Sequence, residues 1–353
     1  MTATQNARRL TFPQISYKAF SYPGDEEALE GVKRIPGVNK LFHWIIDNLL
    51  EEYIHLDQLY NNVRVNQRSH PTIHNIVKDG CEVLDCPMPE VFVKYSPLFN
   101  ASTSGVDRIF IQFNSYLIED FEEEEIAFIA GHEIGHIKAG HVLYHTVANF
   151  IVQFLPILQT MIPFNIGVLY QPMLLALYEW YRRAEFTCDR AGLLYVQDVD
   201  VAMTTLSKLA GKTNRFRDEF DMDVMLSQSE EVQDSNKKLI KLLLFINNMG
   251  NSHPYPAIRV AKLKEWIDSG EYQKVLNGEY PKDTLGEHEM GHRVKCAKCG
   301  KQRNSKLDYC PECGPPPKLK KLKPKVICRS CGAKMAIGKK YCAQCGAETG
   351  DGK

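Results

Sequence analysis

The sequence predicts an α+β chain that is mainly helical and that ends in a small cysteine-rich module. Three observations carry this expectation. Apolar residues recur at helical spacing through much of the chain up to residue 270. Two short runs, Val91-Phe92-Val93 and Ile109-Phe110-Ile111, are β-branched and aromatic and are bounded by Pro and Gly, as strands are. Four Cys-x2-Cys pairs then crowd residues 296–345. With 353 residues, 44% hydrophobic and 24% charged, the chain has room for one substantial core and a smaller module beside it.

Taken in order, Met1 to Phe12 holds Arg8 and Arg9 with no apolar core behind them, so no secretory signal is expected. Leu41, Ile45, Leu49, Tyr53 and Leu56 form a first helical stripe, and the two strand candidates follow it. Glu122 to Glu125 then place acid where a helix N-terminus favours it, and Ile126, Phe128, Ile129, Ile134 and Ile137 continue at helical spacing. A second helical run is expected from Leu174 to Val196 and another stripe at Leu239, Leu242, Leu243 and Ile246.

The acid-capped helix carries His132-Glu133-Ile134-Gly135-His136. Positions i and i+4 share one face of a helix, so two imidazoles can meet one zinc ion, while Glu133 beside that face can act as base toward a water that the metal makes more acidic. His288-Glu289-Met290-Gly291-His292 repeats the pattern, but in a polar, glycine-containing stretch with no apolar stripe to hold it rigid, and is read as linker. The metzincin continuation is absent, because Ala139 and Val142 stand where its glycine and histidine would fall and Gly140 and His141 are out of register. Glu185, on the second helical run, is the candidate third ligand, and Asp189 one turn later can accept a hydrogen bond from the far nitrogen of a ligand histidine. The competing expectation is a solvated helix face on which Arg182, Arg183 and Arg190 pair with the two acids.

These motifs resemble the zinc metallopeptidase family of HtpX and the CAAX prenyl endopeptidases, numbered forty-eight among metallopeptidases, over roughly residues 20 to 270. Asn100-Ala101 ahead of the Ile109 run resembles the family's strand leading to the active-site helix, and Ser252-His253-Pro254 with Arg259 resembles its C-terminal element. The resemblance implies a zincin-like domain that hydrolyses proteins or peptides, with His253 and Arg259 lining the site and stabilising an oxyanion. An edge strand of such a domain can pair with extended substrate through main-chain hydrogen bonds.

From Val147 to Tyr178 no residue is charged. A single membrane crossing there would separate His136 from Glu185, and Pro156, Pro163 and Pro172 are expected to break the stretch into short pieces. Core helices or an apolar lid are favoured, with 147–178 kept as the candidate for membrane contact.

Of eleven cysteines, only Cys81, Cys86 and Cys188 lie outside the four pairs, which is metal usage in a reducing compartment and points to a cytoplasmic chain, membrane-associated if 147–178 is exposed. Cys188 is read as a small buried hydrophobe. Cys296, Cys299, Cys310 and Cys313 recur 32 residues later as Cys328, Cys331, Cys342 and Cys345, with glycine after every second cysteine. Four thiolates close a tetrahedral zinc site, so the tail resembles a double zinc ribbon of halves 296–313 and 328–345 within residues 296–346. The expected division is a peptidase domain at 1–270, a linker at 271–295 and the ribbons, with one catalytic and two structural zinc ions. From residue 296 onward the chain is +10, leaving −10 for the remainder. Sparse aromatics and the charge of the thiolate centres weigh against nucleic acid and favour a protein partner for the ribbons. A different class of function is an inactive adaptor acting through the ribbons alone; the intact Glu133 speaks against it.

Overall fold

A computed structural model of the chain describes residues 9–35, 42, 45, 50–106, 108–161, 167–234, 256–283, 293–296, 302–304, 325–327 and 334–336. The architecture is mainly helical with a small mixed sheet. After an N-terminal segment come helices α1 (Asp25–Lys33), α2 (Glu51–Asn61) and α3 (Pro71–Val83). Strands β1 (Val63–Arg64), β2 (Glu90–Lys94), β3 (Ala101–Gly105) and β4 (Ile109–Asn114) form one sheet in the order β1-β2-β4-β3. β2 and β4 run parallel, and β1 and β3 are antiparallel to their neighbours, which leaves β3 on an edge. Both expected strands are present; β3, rich in Ser and Thr, lacks the apolar signal that would have marked it.

Helices α4 (Ser115–Asp120), α5 (Glu123–Lys138), α6 (Val142–Met161), α7 (Gly167–Val196), α8 (Val199–Ala210), α9 (Met222–Asp234), α10 (Pro256–Asp268) and α11 (Glu271–Leu276) complete the domain. α5 begins where the acid cluster predicts, with a capping box in which Glu122 accepts from the Glu125 backbone and its own N–H donates to Glu125 Oε2 at 2.9 Å. Lys208 of α8 bonds that same carboxylate at 2.7 Å and the Asp120 carbonyl at 2.9 Å, so a buried cation ties the start of α5 to α8. From Glu125 to Lys138 every residue of α5 is buried, which is why its apolar residues encircle it rather than forming a single stripe.

α5 lies against α7 at a distance that only small residues permit. A Cβ on Gly135 would sit 2.8 Å from Ala191 Cβ, and one on Gly192 would sit 2.8 Å from the Phe128 carbonyl oxygen. This close seam sets His132 and His136 opposite Glu185 and Asp189. Gly192→Ala is therefore expected to destabilise the protein by about 1–3 kcal/mol, although alanine is favoured over glycine in a helix interior by up to about 1 kcal/mol. Thermal denaturation checks it; a raised Tm would show that the two helices can part freely.

Two apolar clusters meet along this seam. The larger joins Phe12, Ile15 and Phe20 to the sheet, α3, α5, the end of α7, α8, α10 and α11. The other joins Val32, Phe42, Ile45 and Leu50 to Val147, Ala148, Leu177, Trp180 and Ala184. Along α7 the clusters change over between Ala184 and Ala191, and along α6 between Val142 and Val147. Glu185, Asp189 and His145 fall in those two intervals.

Several expectations are corrected. The stretch 147–178 is not cut into short pieces: α6 runs through Pro156 and α7 begins at Gly167 and runs through Pro172, since an interior proline removes a hydrogen bond and bends a helix without having to end it. Among the described residues no helix is long and apolar enough to cross a membrane. The stripe at 41–56 is split, with Ile45 buried while Tyr53 and Leu56 are exposed; Leu41 and Leu49 lie outside the described residues, as do Leu239, Leu242, Leu243 and Ile246. The expected linker does not start at 271. Tyr272 and Val275 of α11 are buried in the main core, Ser16 N–H donates to the Pro281 carbonyl, and Asp283 N–H donates to that of Gln14, so 271–283 is a strap closed against the N-terminal segment.

Beyond residue 292, β5 (Arg293–Lys295) pairs antiparallel with β6 (Gln302–Asn304), and β7 (Lys325–Ile327) pairs likewise with β8 (Lys334–Ala336). The second hairpin repeats the first at an offset of 32 positions, the period of the cysteines. Cys296 is partly exposed at the end of β5, whereas Cys299, Cys310, Cys313, Cys328, Cys331, Cys342 and Cys345 lie outside the described residues, as does the histidine pair at 288 and 292.

Candidate metal centre

The i, i+4 spacing on α5 turns the rings of His132 and His136 toward α7, with centroids 5.0 Å apart. Glu185 meets both: its Oε2 is 3.4 Å from His132 Nε2 and its Oε1 is 3.4 Å from His136 Nε2. The three donors lie within 4.8 Å of one another, and all three side chains are buried. Donors about 2.0 Å from a tetrahedral zinc ion stand about 3.3 Å apart, so two imidazoles and a carboxylate at 3.4 Å fit zinc with coordination left for a further oxygen. The fold brings these three candidate residues together.

The far side of His132 is fixed by Asp189, whose Oδ1 lies 2.9 Å from Nδ1. A carboxylate accepts only, so Nδ1 carries a proton, and a metal at the site would displace any proton on Nε2 and take its lone pair. Asp189 is held in turn by Arg259 of α10, which donates from Nε at 2.8 Å to Oδ2 and from Nη2 at 2.6 Å to Oδ1. Glu185, Asp189 and Arg259 are only 1–2% exposed, so the expectation of a solvated helix face does not hold. Arg190 instead donates to the Ser21 carbonyl at 2.7 Å, and Arg183 approaches that of Pro23 at 3.5 Å.

Arg259 lies beside Glu185 and Asp189. Its guanidinium grips Asp189 behind His132, with Nη1 3.5 Å from Glu185 Oε2. A buried carboxylate demands a bidentate cation, and that demand decides where the fork goes. His253 lies outside the described residues.

The charges around the site favour a cation within it. Burial by itself would push His132 down, but the Glu185 charge and the hydrogen bonds to Asp189 and Glu185 outweigh it and raise the ring to about 9. For His136 burial prevails over the pull of Glu185, and the ring is lowered. Asp189 would be raised by burial, yet the Arg259 charge and hydrogen bond hold it below the usual carboxylate range. Cys188 is raised well above an ordinary thiol, by burial and then by the Glu185 and Asp25 charges, which keeps it a protonated, inert side chain as expected.

Residues that the sequence did not single out complete the surroundings. Thr103 of edge strand β3 donates its hydroxyl at 2.6 Å to Glu133 Oε2, tying the carboxylate beside the candidate metal ligands to the strand. Gly105 N–H of the same strand donates to Thr146 Oγ1 of α6 at 3.0 Å, so on this alternating strand Thr103 also turns its backbone to the edge that no other strand covers among the described residues. His141 and His145 pack around His136, with His145 stacked 3.9 Å from Tyr181 and edge-on to Trp180. His141 could have been suspected from its place soon after His136; Thr103 and Asp25 carry no local signal.

A helix presenting two histidines and a glutamate, a facing glutamate at metal-bridging distance and an edge strand alongside define a zinc-dependent peptidase. The sequence profile of Peptidase family M48 matches residues 67–267, and the chain belongs to that family. It is 28% identical over 285 residues to the plastoglobule-localized metallopeptidase 48, chloroplastic, of Arabidopsis thaliana, a match covering 78% of this chain and 80% of that protein. It is likewise 28% identical over 99 residues to a protease HtpX homolog of Streptococcus pneumoniae strain Hungary19A-6, covering 28% of this chain and 33% of that protein. No solved structure matches the chain. The protein is thus a metalloprotease, a hydrolase that acts on protein or peptide substrates.

Proposed function

We propose that the protein is a zinc metalloendopeptidase in which His132, His136 and Glu185 hold the metal and Glu133 is the proton-transfer group. The observation that carries this reading is the pair of 3.4 Å separations from one glutamate to two imidazoles. When bound there, zinc supplies Lewis acidity, polarising the scissile carbonyl and making water a stronger acid. Glu133 takes a proton from the attacking water as the new C–O bond forms. It then returns that proton to the amide nitrogen as the C–N bond breaks, so one water is consumed and a carboxyl and an amine terminus appear. Thr103 steadies the carboxylate through both transfers, and the outward edge of β3 pairs with the extended substrate backbone. Asp189 orients His132, and Arg259 acts through Asp189 as a positioning residue, which leaves His253 as the remaining candidate for contact with the oxyanion.

The division into domains follows the same reading, with the peptidase unit extended to residue 283 and two ribbons in 296–346 each closing on one structural zinc. The matched 32-residue periods of hairpins and cysteines support it. The ribbons dock a protein partner, and the uncharged stretch 147–178, whose Val147, Ala148 and Leu177 pack in the core, supplies the candidate lid or membrane contact of a cytoplasmic, membrane-associated enzyme. Zinc analysis of the full chain tests the assignment. Three zinc ions are expected in the wild type and two in His136→Ala, with casein cleavage lost. Equal zinc content in the two proteins would overturn the ligand set.

A further inference from the structure

We propose that His141 and Asp25 form a positioning dyad for His136, so that a segment ahead of the family domain completes the metal centre. The inference rests on the reading that His132, His136 and Glu185 hold zinc. Asp25 opens α1 and precedes residues 67–267, yet it is only 2% exposed and its Oδ2 lies 3.1 Å from His141 Nε2. The other nitrogen of His141, Nδ1, lies 3.3 Å from Nδ1 of His136. Thr187 of α7 donates its hydroxyl at 2.6 Å to Asp25 Oδ2 and accepts the Tyr22 backbone N–H at 2.9 Å, which anchors the carboxylate to the helix that carries Glu185.

Proton counting fixes the direction of this chain. A carboxylate has no proton to give, so His141 Nε2 donates to Asp25. The Nδ1 of a neutral His141 is then an acceptor, and the proton between the two rings belongs to His136 Nδ1. That assignment leaves the His136 Nε2 lone pair for the metal, as the Asp189 bond does for His132. Each ligand histidine thus answers to a buried carboxylate, one directly and one through a second imidazole. Cys188 Sγ, 3.8 Å from His141 Nδ1, is too weak a donor to take over that nitrogen.

The test measures affinity for the catalytic zinc of the full chain by competition with a chromophoric chelator, with His136→Ala marking which ion is lost. His141→Phe is expected to weaken it by about 10- to 100-fold. His141→Asn, whose Oδ1 can accept in place of Nδ1, should recover most of that loss, and Asp25→Asn should fall between wild type and His141→Phe. Because Asp25 acts through His141, adding Asp25→Asn to His141→Phe should cost nothing more, and the Tm of the zinc-free proteins should not follow this order. Wild-type zinc affinity in His141→Phe, or losses that multiply in the double variant, would overturn the proposal. If His141→Phe does not fold, His141→Asn with and without Asp25→Asn gives the same comparison. Unchanged zinc retention in His136→Ala would instead remove the ligand set beneath it, a separate outcome.

Discussion

Glu133→Gln retains all of its zinc and loses proteolysis by a factor of about 10²–10⁴, the range that a positioned acid–base group contributes. The substitution keeps the shape of the side chain, and the Thr103 hydroxyl that donates at 2.6 Å to the carboxylate can donate equally to an amide oxygen. None of the three proposed ligands is altered, and the α5–α7 seam depends on Gly135 and Gly192 rather than on position 133. What disappears is the ability to take a proton from water and hand it to the leaving nitrogen. Casein turnover and zinc content measured on the same preparation check both halves of this expectation. Turnover within tenfold of wild type would place the proton transfer on another residue.

The second large effect is expected at Arg259. Replacement by leucine leaves Asp189 charged, buried and stripped of both guanidinium hydrogen bonds, and breaking one partner out of such a pair costs about 3–5 kcal/mol. At about 2–4 °C per kcal/mol for a domain of this size, Tm should fall by about 10 °C. Zinc affinity should fall as well, because Asp189 is the residue that keeps the His132 proton on Nδ1. Arg259→Lys keeps a charge but not the planar fork that bonds both carboxylate oxygens, so it should recover only part of the loss. A leucine variant that melts with wild type would mean that Asp189 finds another cation, and the positioning role would have to be withdrawn.

What could be read in the chain was whatever is encoded by local spacing. His132, Glu133 and His136 are fixed on one helix, and Glu185 and Asp189 on another, because a 3.6-residue repeat translates sequence separation directly into a shared face. The acid cluster at 122–125 likewise marked the first turn of α5. The partners of those residues were not legible. Thr103 sits in a strand of small polar residues, and Asp25 opens a helix more than a hundred positions from the histidine it meets; contacts of that range are made by packing, and no periodicity records them. Arg259 was located by resemblance, but its direction was set by the need of a buried carboxylate that only the fold reveals. The prolines at 156 and 172 misled for the opposite reason, since a local rule about breaking helices gave way to the helices around it.

The clasp between residues 14–16 and 281–283, together with a proposed metal centre that would draw on Asp25 near one end and Arg259 near the other, bears on how the enzyme is made. Chains are synthesised from the N-terminus at about 5–20 residues per second, and domains fold as units. A nascent polypeptide here lacks the arginine that holds Asp189 against His132 until nearly the whole peptidase unit has left the ribosome. On the proposed site, hydrolytic competence accordingly awaits the synthesis of Arg259 and of the strap that ends at residue 283.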